Sequence, residues 1–209
     1  MTRYALQLAV LLLLYLPELV MGEAFTPVTA TKEHINLLHQ GGFVLFIRHG
    51  ATDTSRPDQV PIDIADCDTQ RPLSDAGREE MAVIAEAMRS LEIPISDVFS
   101  SPLCRAVETS QILFGDDFEI NPLLMYVAAL TDDEKAPILR ETDRLLSLPV
   151  TAGQNRVLVA HGPNMAELME YFPPEGTVVI FSPLADRKYE YIASITPRDW
   201  PGLLHQSVE

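Results

Sequence analysis

The sequence predicts an α/β fold, a three-layer sandwich in which a mostly parallel central sheet carries helices on both faces. Two observations lead to this prediction. Short runs of apolar, β-forming residues alternate along the chain with longer segments whose apolar residues recur at helical spacing. Several of these runs end abruptly in glycine and polar residues, which is typical of buried parallel strands followed by loops. Such alternation builds a sheet that is covered on both sides.

The first half of the chain gives a helix, a strand, a long loop and a second helix. A helix is expected at about 31–40, closed by two glycines, and the strand FVLFIR follows at 43–48. Residues 51–72 are rich in Asp, Pro, Thr and Gln without periodicity, so they are predicted to form a long loop. Ser74 is suited to cap a helix that continues to about residue 91.

The middle of the chain repeats this alternation. DVFSS at 97–101 is a predicted strand, and a helix with proline in its first turn follows at 102–115. FEIN at 118–121 is a short third strand. The sequence TDDE at the start of 131–147 forms a capping box, which predicts a helix over that range.

The last part supplies the remaining strands. NRVLVAHG at 155–162 reads like the first strand and its following loop, and a helix is expected at 164–171. VVIFS at 178–182 and YEYIASI at 189–195 are predicted strands. In sheets of this kind, the loops at the carboxyl ends of neighbouring strands converge on one ligand crevice.

The first two dozen residues have the composition of a secretory signal peptide. Arg3 precedes an apolar run of about a dozen residues, and the small residues Gly22 and Ala24 follow. This order predicts a signal peptide over 1–22, cleaved after one of those small residues, and a mature domain over 23–209. Retention as an anchor is the alternative, for which the run is short, since a spanning helix needs about 20 apolar residues. We therefore expect a periplasmic or secreted protein with no stable membrane insertion after signal removal.

The formal net charge of −15 over 209 residues restricts the partners of this chain. Nucleic acids and anionic membrane surfaces bind to basic surfaces, so neither is an expected partner. An anionic substrate must be held by a few local cations against the field of the whole protein. The composition gives no indication of oligomeric state.

Three segments that follow predicted strands carry the residues suited to phosphate chemistry. They are RHGAT at 48–52, SSPLCRAVETS at 100–110 and AHGPN at 160–164. Together they supply two arginines, two histidines and several hydroxyl groups. Arginine matches phosphate with a planar fork of donors, and neutral histidine is able to attack phosphorus. The three strand ends therefore predict a phosphoryl-binding site.

Here the chain resembles exported, bacterial-type members of the histidine phosphatase superfamily, also called the phosphoglycerate mutase-like family. RHG with Thr52 resembles the first family motif, SSPLCRAVETS the second, and the HG of AHGPN the third. RPLSDAGREEM at 71–81 is similar to the segment that usually lies between the first two. The resemblance covers about 43–195, and three motifs in order are much stronger evidence than a lone RHG.

The resemblance implies a catalytic set and a reaction. His49 is the expected nucleophile, which forms a transient phosphohistidine that water then hydrolyses. Arg48, Arg105 and His161 are expected to surround the phosphoryl oxygens, with Thr52 as a further donor. The implied activity is hydrolysis of a small-molecule phosphate ester, and this chemistry requires no metal and no cofactor.

The proton donor to the leaving group is not identified by the sequence. Many relatives carry a glutamate in the stretch that corresponds to NPLLMYVAAL at 121–130, where this chain has no carboxylate. Another branch places an aspartate where this chain has Gly162. The acidic residues at 132–134 are accounted for by the capping box, and Asp53 in the long loop is a further candidate. Two alternatives stay open: a phosphomutase of the same family, and a non-catalytic phosphate-binding module.

The two cysteines are placed to fasten the long loop. Cys104 immediately precedes Arg105, and Cys67 lies in the loop that follows the first motif. Because an oxidising compartment permits disulfides, we expect a Cys67–Cys104 bridge, with two buried thiols as the alternative. Such a bridge requires a Cα–Cα distance of roughly 4.4 to 6.8 Å.

Overall fold

The computed structural model describes residues 25–205 and shows six helices and six strands within that range. The predicted signal peptide over 1–22 lies outside the described residues. The helices are α1 (Lys32–Gln40), α2 (Asp75–Ser90), α3 (Cys104–Phe114), α4 (Asp132–Ser147), α5 (Gly162–Met169) and α6 (Trp200–His205). The strands are β1 (Val44–Arg48), β2 (Ile95–Ser100), β3 (Glu119–Ile120), β4 (Asn155–Ala160), β5 (Val178–Leu184) and β6 (Lys188–Ile195). No helix of this range is long and apolar enough to cross a membrane.

The strands form one sheet in the order β3-β2-β4-β1-β5-β6. The first four of these run parallel to one another, while β5 is antiparallel to both of its neighbours, β1 and β6. The prediction of a mostly parallel sheet is therefore confirmed. Arg48 is in register with Ala160, and Ser100 is in register with Val159. This register brings the three motif-bearing strand ends together at one edge of the sheet.

Alternate residues of the central strands face two separate hydrophobic cores. Leu45 and Ile47 of β1 pack into the core beneath α1, α2, α3 and α6, whereas Val44 and Phe46 pack into the core beneath α4 and α5. All four side chains are fully buried. Complete burial of each such side chain contributes about 1.5 to 3 kcal/mol. The three-layer arrangement predicted from the sequence is thus confirmed.

Two helices differ from the sequence prediction. α5 begins at Gly162, two residues before the expected start, because the proline that follows this glycine is compatible with a first helical turn. α6 was not predicted, since six residues are too few to show a helical period. Trp200, the first residue of α6, anchors the C-terminal segment, because its side chain is buried in the core beneath α1, α2, α3 and α6.

Candidate active site

His49 directly follows β1 and is held in one orientation by two hydrogen bonds. Its backbone N–H donates to the carbonyl of Ala160 at 3.1 Å, which extends the pairing of β1 with β4. Its ring Nδ1 lies 2.9 Å from the carbonyl oxygen of Gly50. Because a carbonyl only accepts, Nδ1 must carry the ring proton, and Nε2 of the neutral ring keeps its lone pair. The side chain is buried, with 2% of the residue exposed.

The surroundings of His49 keep the imidazole neutral. Burial, which disfavours the charged ring, holds its pKa well below 6.5, and the positive charges of Arg105 and Arg48 act in the same direction. The ring is therefore uncharged at neutral pH, with its proton on Nδ1 and a nucleophilic Nε2.

Arg48, the last residue of β1, is fixed on three sides. Its guanidinium lies over the ring of Phe172, with 4.6 Å between Cζ and the ring centroid. Nη1 donates to the carbonyl of Pro173 at 2.7 Å, and Nη2 lies 3.5 Å from the carboxylate of Glu175. Its buried Nε has no hydrogen-bond partner among residues 25–205.

Arg105 lies in the first turn of α3 and is fully buried. Its Nη1 donates to Oδ1 of Asp58 at 3.0 Å. Nε and Nη2 are both buried without a hydrogen-bond partner in the described part of the chain. These two nitrogens form one edge of the guanidinium, the fork that binds two phosphate oxygens at once. The guanidinium also lies over the ring of Tyr126, with 5.5 Å between Cζ and the ring centroid.

His161 caps the start of α5 and is fully buried beside His49, with 5.3 Å between the ring centroids. Its Nε2 is 2.7 Å from the hydroxyl of Ser101. When that hydroxyl donates to Nε2, the proton of the neutral ring is on Nδ1, which has no partner within the described residues. Burial lowers the pKa of His161 well below its usual value, and the charges of the arginines add to this effect.

Arg71 is a third cation of this cluster, and the sequence analysis did not assign it a role. Its charge lowers the pKa of His49, Arg48 and His161, and its own buried Nε has no partner among the described residues. The sequence could have indicated this residue, because RPLSDAGREEM, the segment that resembles the family between its first two motifs, begins at Arg71. A bridge between Thr52 and Leu73 brings the start of that segment beside the first motif.

Thr52 is placed differently from the expectation. Its hydroxyl donates to Oε1 of Glu175 at 2.8 Å, and its backbone N–H lies 3.3 Å from Oε2 of the same carboxylate. The hydroxyl proton is therefore committed to Glu175, which also pairs with Arg48. Thr52 therefore helps to hold Glu175, which in turn positions Arg48.

The carboxylates considered as proton donors have local structural roles. Glu134 accepts from the backbone N–H and hydroxyl of Thr131 at 2.8 and 2.7 Å, so the predicted capping box is confirmed. Asp53 accepts from the backbone N–H and hydroxyl of Ser55. Gly162 leaves little room for a side chain, since a Cβ there would lie 3.1 Å from Nη1 of Arg48.

A disulfide between Cys67 and Cys104 joins the long loop to the start of α3, with a Cα–Cα distance of 5.8 Å. The buried side chain of Gln70 adds to this connection. Its Oε1 accepts from the backbone N–H of Cys104 at 2.8 Å, and its Nε2 donates to the carbonyl of Asp63 at 3.0 Å. The loop is thereby fixed against the helix turn that contains Arg105.

The cluster as a whole is a cationic cradle around a neutral histidine. Buried nitrogens without partners in the described chain come from four of its residues: Nε of Arg48, Nε of Arg71, Nε and Nη2 of Arg105, and Nδ1 of His161. Unpaired buried donors cost free energy unless a ligand satisfies them. Three guanidinium groups select an anion with several oxygens, such as a phosphoryl group. Residues 25–205 contain no group of three or more His, Cys, Asp and Glu side chains arranged to hold a metal ion.

Comparison with known proteins points to one family. The family model "Histidine phosphatase superfamily (branch 1)" matches residues 44–125. The matched range contains the first two motifs and ends before the third. No curated protein sequence matches the chain.

Several solved structures share the fold at low sequence identity. The protein histidine phosphatase SixA, complexed with tungstate, has a TM-score of 0.51 and 18% identity, covering 75% of this chain and 98% of its own. A protein from Escherichia coli, proposed to be an α-ribazole-5′-P phosphatase, has a TM-score of 0.55, 16% identity and the same coverage. Phosphoserine phosphatase from Entamoeba histolytica, in complex with phosphoserine, has a TM-score of 0.51 and 15% identity, again covering 75% and 98%.

Proposed function

The family model, the motifs and the fold identify the chain as a member of the histidine phosphatase superfamily, and on this premise we propose that it hydrolyses phosphate monoesters through a phosphohistidine at His49. One observation carries the proposal. Three arginines and a second histidine present buried donors, unpaired within residues 25–205, around a neutral imidazole whose Nε2 carries no proton. This is the arrangement that a phosphoryl group needs for both binding and attack.

The roles follow from the geometry of the cradle. In the transition state of phosphoryl transfer, negative charge is spread over three equatorial oxygens. The free edge of Arg105 provides a bidentate contact, while Arg48, Arg71 and His161 supply donors to the remaining oxygens. Because these groups are held by the protein before substrate binds, little reorganisation is needed during the reaction. Nε2 of His49 attacks phosphorus, and water then hydrolyses the phosphohistidine.

We propose that the protein works outside the cytoplasm. The sequence of residues 1–22 predicts a signal peptide, and the Cys67–Cys104 disulfide supports an oxidising compartment. This location disfavours a phosphomutase, since phosphorylated sugar acids are cytosolic metabolites. We propose a small phosphate monoester as substrate, because the net charge of −15 opposes the approach of highly charged molecules.

Rapid-quench labelling of the mature protein with a phosphate monoester labelled at phosphorus tests this proposal. The wild-type protein should give an acid-labile, base-stable phosphohistidine, because the N–P bond is broken by acid. His49→Ala should abolish both the label and turnover while the fold is retained, as judged by circular dichroism. His205→Ala is a matched control, since this histidine is exposed in α6, and it should label as the wild type does. Full turnover by His49→Ala would exclude the mechanism, and phosphate binding without turnover in the wild type would favour a binding module.

A further inference from the structure

The carboxylate of Asp58 shares a guanidinium group with the phosphoryl site. Its Oδ1 accepts from Nη1 of Arg105 at 3.0 Å, while Nε and Nη2 of the same guanidinium have no partner among the described residues. A phosphoryl group on the free edge of Arg105 would therefore share this guanidinium with the carboxylate. Asp58 was given no role by the sequence analysis, because it lies in the long loop without periodicity.

The position of Asp58 is built into the structure. Oδ1 also accepts from the backbone N–H of Arg71 at 2.8 Å. The loop that contains Asp58 is fixed to α3 by the disulfide of Cys104 and by the side chain of Gln70. Whereas Arg105 is fully buried, 21% of the Asp58 side chain is exposed. The carboxylate is thus in contact with solvent, whereas the guanidinium that it pairs with is not.

We propose that Asp58 is the general acid of this phosphatase, which donates a proton to the oxygen of the departing alcohol. The inference rests on the proposed function and adds the residue that the motifs leave unassigned. It gives a catalytic carboxylate to a chain that lacks one at both positions where relatives carry it.

The reaction balances with Asp58 in this role. Nε2 of His49 forms a bond to phosphorus while the phosphorus–oxygen ester bond breaks, and the proton of the Asp58 carboxyl group moves to the ester oxygen to give a neutral alcohol. Water then attacks phosphorus as the nitrogen–phosphorus bond breaks, and the Asp58 carboxylate accepts its proton. The sum is one ester and one water converted to one alcohol and one inorganic phosphate.

Substrate binding supplies the reason for the carboxyl group to hold a proton at that moment. In the free protein, Asp58 faces Arg105 from α3 and the Arg71 segment that precedes α2. Across the cradle lie Arg48 and two neutral histidines. A phosphate dianion on the free edge of Arg105 places two negative charges beside the carboxylate and competes for the same cation. Like-charge repulsion favours the protonated form of the carboxyl group, which is the form that donates to the leaving oxygen.

Two other groups near the cradle are less suitable donors. Glu175 pairs with Arg48, which has one buried nitrogen without a partner among the described residues, whereas Asp58 pairs with Arg105, which has two. It lines a separate cavity of about 400 Å³ together with Glu80. The ring of Tyr126 packs against the Arg105 guanidinium and lies edge-on to the ring of His161.

The experiment compares two esters that differ in their need for a proton. The p-nitrophenolate ion leaves without protonation, whereas a simple alkoxide does not. Asp58→Asn should lower kcat/KM for ethyl phosphate about 100-fold or more and for p-nitrophenyl phosphate only a few-fold, since a positioned general acid contributes about 10² to 10⁴. Asp58→Glu should recover part of the ethyl phosphate activity. Asp68→Asn is the matched control, because this residue is exposed on the same loop, and it should match the wild type on both esters.

The outcomes separate this inference from the proposed function. Equal losses on both esters in Asp58→Asn would overturn it, since that result means the residue only positions Arg105. A selective loss of ethyl phosphate hydrolysis in Tyr126→Phe, with none in Asp58→Asn, would also overturn it. Failure of the wild-type protein to form phosphohistidine from p-nitrophenyl phosphate would refute the proposed function itself.

Discussion

Two buried arginines at opposite ends of the sheet, Arg105 and Arg156, show how differently one side chain is used in this molecule. Arg156 lies at the start of β4 and donates to the carbonyl oxygens of Leu145, Leu148 and Pro149 at 3.4, 3.2 and 3.4 Å. These carbonyls lie at and just beyond the C-terminal end of α4, where helical acceptors lack partners. Arg105 makes one side-chain hydrogen bond, to Asp58, within the described residues.

The comparison indicates what marks a binding arginine. Burial alone does not distinguish the two, because Arg156 has 9% of its surface exposed and Arg105 has none. The difference lies in the donors: within the described residues both terminal nitrogens of Arg156 are paired and only its Nε is not, whereas Nε and Nη2 of Arg105, an entire edge, lack a partner. A buried cation whose two terminal nitrogens are paired is explained by the stability that it contributes. An unsatisfied one is a cost that a bound anion offsets.

The largest expected effect is the loss of transition-state stabilisation in Arg105→Ala. We expect kcat/KM for p-nitrophenyl phosphate to fall about 10³-fold or more, as for other arginines that stabilise phosphoryl transfer. Arg156→Ala should instead lower the free energy of unfolding by about 3 kcal/mol, since it leaves several carbonyls and Asp97 without their partner. Steady-state kinetics and urea unfolding of both variants test the contrast. It fails if the activity loss of the folded Arg156→Ala protein equals that of Arg105→Ala.

A smaller effect is expected when the disulfide at the active-site end is removed. The bridge joins residues separated by 37 positions, and in the chain-entropy model it contributes roughly 3 to 4 kcal/mol. The Cys67→Ser/Cys104→Ser variant should unfold at a lower urea concentration by that free energy, and kcat/KM should also fall, because Asp58 and Arg71 lie on the released loop. Wild-type protein treated with reductant is the control and should behave as the variant does. Unchanged kinetics in a destabilised variant would show that the loop keeps its position without the bridge.

The parts of this molecule that repeat a pattern were predictable from sequence. The strands around Phe46 and Leu158 are apolar runs that end in RHG and AHG, so the sequence predicted both the sheet and the edge at which Arg48, His49 and His161 meet. Hydrophobic burial on both faces imposes that pattern, and the structure confirms it.

The remaining site residues could not be found in this way. Asp58 and Arg71 lie in a loop whose course depends on a disulfide, an amide side chain and isolated hydrogen bonds, none of which imposes a sequence period. Glu175 reaches the site after α5, in a segment with no motif, and its role is visible only from its contacts with Arg48 and Thr52. Hydrophobic periodicity predicts which apolar residues are buried. It does not predict these residues, because they act through specific polar contacts at the edge of the core.

The smallest effect concerns the pH dependence of stability that the two neutral histidines impose on this end of the sheet. In the folded protein the pKa values of His49 and His161 lie well below 6.5, whereas the unfolded chain binds protons near that value. The stability that depends on burying these two imidazoles in uncharged form is therefore fully present above about pH 6.5. Below that pH the unfolded state binds more protons, and the free energy of unfolding falls by about 1.4 kcal/mol per pH unit for each histidine.

Replacing one of these two histidines should remove its contribution to the change of the free energy of unfolding with pH. In urea unfolding between pH 7 and pH 5.5, in buffer free of phosphate, His161→Asn should lose about 1.2 kcal/mol less stability than the wild type, with the difference in slope approaching about 1.4 kcal/mol per pH unit at the acid end. Comparing slopes cancels the carboxylates common to both proteins as well as the hydrogen bond to Ser101 that the variant loses. His205 is exposed in α6, and the His205→Ala variant should keep the wild-type slope. Identical slopes in all three proteins would mean that His161 takes up its proton in the folded state, and the cradle would then hold a cationic imidazole as an additional positive charge.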